Sequence, residues 1–101
     1  MTVLGRFEKQ PAETLDYEFD FRPWLADRAD TIASVTVAAV SLPPGSAAMT
    51  VSNITQNAGV IRFFAAGGLD GVRYEVTCTI TTAATPARVK QDELIINVRE
   101  R

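Results

Sequence analysis

A chemical centre needs side chains that can attack, move protons or hold a cation, and few residues here qualify. The 101-residue chain contains no histidine and one cysteine. Acyl transfer needs a weak nucleophile activated by a neighbouring base, and the commonest base is missing. Lys9 and Lys90 are the only lysines, and neither lies in an apolar stretch of sequence that would lower its pKa. Cys78 shares the apolar side of an alternating segment with Tyr74, Val76 and Ile80, which predicts a buried, inert thiol. Asp16, Glu18 and Asp20 alternate with apolar residues. Alternate positions on a strand lie about 7 Å apart, too far for all three carboxylates to grip one ion unless loop residues such as Asp27 and Asp30 help. A solvated acidic row that discourages edge-to-edge pairing and offers a partner contact is the simpler reading. Gly67-Gly68-Leu69-Asp70-Gly71 lacks the Lys-Ser/Thr of a phosphate loop and leads into a strand, so it reads as a turn. Asn53-Ile54-Thr55 matches a glycosylation sequon by pattern only. Trp24 reads as a plug at one end of a core, with an exposed stacking platform as the alternative. These residues point to no catalytic centre, no metal and no cofactor.

The elements that would carry them are strands. Leu15, Tyr17, Phe19 and Phe21 alternate with Asp16, Glu18 and Asp20, which predicts a half-buried strand over 14–21. Pro23 opens a single helical turn through Ala26, too short to stand as a helix alone. Strands are then predicted over 31–37, 49–54, 60–65, 73–82 and 91–98. Gln56-Asn57-Ala58-Gly59 joins two of them as a hairpin, and Leu42-Pro43-Pro44-Gly45-Ser46 breaks the chain between two others. The spacing Gly71-x-x-Tyr74 resembles a tyrosine corner, whose hydroxyl bonds back to upstream backbone, here near Leu69 or Asp70. Six or seven short strands without an amphipathic helix predict an all-β, immunoglobulin-like antiparallel sandwich without a disulfide. Residues 1–12 lack clear periodicity and contain Gly5 and Pro11, so they read as an N-terminal arm, with Phe7 as a partner contact, ahead of a sandwich domain over 13–101.

Composition narrows the function further. Hydrophobic residues make up 47% of the chain, enough for a packed core. A formal charge of −2, with the basic residues scattered, argues against a nucleic-acid partner. No apolar run approaches membrane-spanning length, and no signal peptide is evident at the N-terminus. The expectation is a cytoplasmic product that leaves the cell only within an assembly.

Two stretches carry a family resemblance. Leu15-Asp16-Tyr17-Glu18-Phe19-Asp20-Phe21-Arg22-Pro23-Trp24-Leu25, followed by Asp30-Thr31-Ile32-Ala33-Ser34-Val35, is similar to small phage and prophage proteins of tail or fibre-adaptor type. So is Gly67-Gly68-Leu69-Asp70-Gly71-Val72-Arg73-Tyr74-Glu75-Val76-Thr77-Cys78 with the threonines after it. The likeness runs from Leu15 to Val98. It implies an immunoglobulin-like, non-enzymatic virion component that docks onto other phage structural proteins. The chain is expected to be a monomer in isolation, with an oligomer an open alternative in the assembly. The competing expectation is a stand-alone binding module for carbohydrate on a host surface.

Overall fold

The computed structural model describes residues 2–27 and 29–100. Its order is β1 (Thr2–Lys9), β2 (Thr14–Asp20), α1 (Arg22–Ala26), β3 (Ile32–Leu42), β4 (Met49–Asn57), β5 (Val60–Gly67), β6 (Arg73–Thr82) and β7 (Val89–Val98). One sheet runs β1-β7-β6-β3 and the other β2-β5-β4. Every pairing is antiparallel except β1 with β7. The chain thus switches sheets after β1, and the two layers close a sandwich of immunoglobulin-like type.

Alternation along each strand decides the core. Tyr17, Phe19, Ile61, Phe63 and Ala65 face inward from one sheet, and Tyr74, Val76, Cys78, Ile80, Leu94, Ile96 and Val98 from the other. Phe19 lies between Phe63 (ring centroids 5.7 Å apart) and Phe21 (6.3 Å). Each such side chain contributes about 1.5–3 kcal/mol when fully buried. Leu15, expected on this face, is 36% exposed, since β2 is an edge strand with only β5 beside it. The β4–β5 hairpin closes through Ala58 (φ +52°) and Gly59 (φ +90°), the positive pair that matches strand twist.

The N-terminal segment corrects the sequence reading. Residues 1–12 were expected to form an arm without a strand partner, yet they carry β1, in register with β7 from Thr2 opposite Asp92 to Lys9 opposite Val98. The register shifts between Val3 and Gly5. An extra residue there changes the phase of the alternation, so the strand's period-two signal is lost. Lys9, at the end of β1, is 1% exposed.

Candidate docking surfaces

The residues with chemical potential are dispersed over the sandwich and engaged by neighbours. Glu18 sits directly opposite Arg62 of β5, whose guanidinium reaches its carboxylate at 3.0 Å and that of Asp16 at 3.7 Å. Asp20 is held by Arg22, which donates from Nε and Nη2 at 2.9 Å each and from its amide at 3.0 Å. Those bonds hold the Asp20 carboxyl at about 2, well below the usual carboxylate range. The predicted acidic row is therefore an acidic ladder laced by two arginines rather than three carboxylates converging on one point. Arg62 went unnoticed in the sequence because its hydrogen-bonded partner Glu18 lies 44 residues away across a sheet pairing.

Lys9 is a second correction. It was expected to keep an ordinary environment, but burial lowers its pKa, with the charge of Glu13 opposing. Its Nζ donates to the carbonyls of Gly67 (2.6 Å), Gln10 (2.8 Å) and Pro11 (3.5 Å). An ammonium has three protons, and these bonds use all of them. Lys9 accordingly anchors the end of β1 to the end of β5 and is not free to act as a base.

Trp24, within α1, is half-buried against the core. The Arg88 guanidinium lies 4.2 Å from its ring centroid and the Lys90 ammonium 5.7 Å. Arg88 also pairs with Asp30 at 3.3 Å, and Lys90 with Asp92 at 3.6 Å. Burial pushes the Asp30 carboxyl up, but hydrogen bonds from the Thr31 amide, the Thr82 hydroxyl and Arg88 outweigh it, leaving its pKa below the usual value. The ring is thus occupied by cations of its own chain and does not stand bare as a sugar platform.

At the opposite end of the sandwich, Tyr74 is 1% exposed. Its hydroxyl accepts the Leu69 amide at 2.9 Å and donates to the Ala47 carbonyl. The Leu69 bond lies where the Gly71-x-x-Tyr74 spacing places it. The Ala47 bond joins a loop 27 residues away and has no local signal. Gly71 takes φ +83° in the turn leading to β6, and its amide donates to the Val98 carbonyl at 2.8 Å. Phe7 is 40% exposed and packs on Tyr17, ring centroids 5.1 Å apart, at the margin where β1 and β2 meet.

Cys78 is fully buried, and burial, with Asp92 adding to it, pushes its thiol up to about 12. The unfolded thiol ionises near 9.0. Between those values the unfolded chain gives up a proton that the folded chain keeps, so stability is retained below pH 9 and falls as pH rises above it. We expect native protein to resist a thiol reagent that modifies the urea-unfolded chain, and Cys78→Ala to flatten the alkaline decline. Rapid labelling of the native protein at neutral pH would contradict this.

No helix among the described residues is long and apolar enough to cross a membrane. The family model described as podophage GP4 fiber-tail adaptor protein gp77 matches residues 9–97. No curated protein matches the chain.

Proposed function

Since the chain belongs to this family of phage fibre-tail adaptor proteins, with a structural role in a phage, we propose that it works without catalysis, as a connector docking between tail and fibre proteins through complementary surfaces. The family match over 9–97 carries this reading. The dispersion of the ionisable side chains supports it, since those described above pair with neighbouring groups at separate places instead of converging on one point. The margin of β1 and β2 is the surface we assign to the tail or fibre partner. Exposed Phe7 supplies an apolar anchor there, and Asp16, Glu18 and Asp20 form a charged rim beside it. An apolar centre with polar surroundings is the usual anatomy of a protein interface.

Deletion of the gene in the producing phage tests the proposal. Particles should still fill their heads and carry tails, while electron micrographs and mass spectrometry of purified virions should show fibres missing. Deletion particles with a normal complement of fibres would overturn it.

A further inference from the structure

A sheet edge is a row of unpaired backbone groups, and folded proteins guard it with charges, prolines or bulges. The sandwich has four edges, and three are guarded. β1 carries Arg6 and Glu8 and a register shift between Val3 and Gly5. β2 carries Asp16, Glu18 and Asp20. β4 has a register shift between Ser52 and Thr55, with Asn53 at φ +50° inside it. β3 differs. Its 11 residues, Ile-Ala-Ser-Val-Thr-Val-Ala-Ala-Val-Ser-Leu, include no charge and no proline. Its shift lies at the very start, between Ile32 and Ser34, and from Ser34 to Leu42 it follows β6 without interruption. Only β6 lies beside it in the sheet.

We infer that the β3 edge pairs antiparallel with the β3 edge of a second copy of this chain, joining two four-stranded sheets into one. The strand is self-complementary. The regular stretch from Ser34 to Leu42 is centred on Ala38, so pairing in full register sets Ala38 against its own copy, Thr36 against Val40 and Val37 against Ala39. No like charges meet at any of these positions, and like charges directly opposed are what disfavour such a pairing. Thr36, Ala38 and Val40 are exposed, Val40 at 55%, and the inward Val35, Val37 and Ala39 are only half-buried in the single chain. A second strand would cover both rows. The nearest charges on β6, Arg73 and Glu75, lie opposite Leu42 and Val40, near one end of β3, so antiparallel pairing carries the two sets to opposite ends of the joined sheet. β3 packs beside β4, on the far side of the sandwich from β1 and β2. Pairing between copies therefore leaves the surface assigned to the tail or fibre partner free. One strand pair is a small contact beside the roughly 1,600 Å² of a stable complex, so free copies should associate weakly and copies held together in a particle more strongly.

Sedimentation equilibrium of the full chain tests this without any phage partner, so its outcome is independent of the adaptor reading. The weight-average mass should rise from 11.0 kDa toward twice that value between micromolar and millimolar concentration. Ala38→Lys and Ala38→Glu alter an exposed side chain and should leave the melting temperature unchanged. Each alone should remain monomeric, because it opposes like charges. An equimolar mixture of the two should recover association at least as strong as that of the unaltered chain. A native chain that stays monomeric at millimolar concentration would overturn the inference, as would dimers that persist unchanged in both single variants. A mixture that fails to associate would also overturn it.

Discussion

Gly68→Ala should destabilise the protein by about 2–4 kcal/mol, the sum of a strained backbone and an overpacked contact. Gly68 sits at φ +96° in the turn between β5 and β6. A methyl group built there would lie 2.8 Å from Val98 Cγ2, 3.2 Å from Tyr74 Cε1 and 3.5 Å from Met49 Cε. Val98 and Tyr74 are each 1% exposed, so neither can swing into solvent to make room. Gly45→Ala separates the two contributions. Gly45 has a similar φ of +89°, but nothing lies within 4 Å of its added methyl. That variant should lose only the backbone part. Urea unfolding of both, with midpoints compared at constant slope, measures the difference. Equal losses in the two variants would show that the Val98 contact is not limiting.

Tyr74→Phe should cost about 1–3 kcal/mol, taking roughly 0.5–1.5 kcal/mol for each net hydrogen bond lost. The ring would stay buried, so the change isolates the hydroxyl. That oxygen couples the Leu69 amide in the β5–β6 turn to the Ala47 carbonyl in the β3–β4 loop. Removing it leaves one donor and one acceptor to find water. Ala47 and Leu69 are both exposed residues, which favours the lower half of the range. Amide exchange at Leu69 should quicken more than exchange along β6. An unchanged unfolding midpoint, with Leu69 protected as before, would show that the corner contributes nothing to stability.

These expectations also locate rigidity within the adaptor. Lys9, Gly67, Gly68, Tyr74 and Val98 tie four segments together at one end of the sandwich. The cluster of Trp24, Arg88, Asp30, Lys90 and Asp92 does similar work at the other. In the proposed connector role, such pinning would keep the docking edges in a fixed relative orientation.

Much of this was legible in the chain itself. The alternations in 14–21 and 73–82 determined which faces of β2 and β6 are buried, because side chains on a strand change sides at every residue. They also predicted the burial of Cys78. The absence of histidine removed the usual base before any geometry was known. The turn signals at Asn57-Ala58-Gly59 and Gly67-Gly68 marked the breaks between strands, since few residues adopt positive φ readily. What the tertiary structure decided was of another kind. The membership of β1 was hidden because a shifted register scrambles the phase by which a strand is recognised. β3 was expected to end at Val37, and it continues to Leu42 because β6 offers a partner along its whole length. The acidic row acquired its arginine from β5, and Trp24 its cations from β7 and the loop before it. Lys9 was tied down by the Gly67 carbonyl, 58 residues along the chain, together with those of its neighbours Gln10 and Pro11. Periodicity is a property of one segment and can be read from it. Strand order, edge position and the partner of a charge depend on which distant segments meet, and a single sequence does not state them.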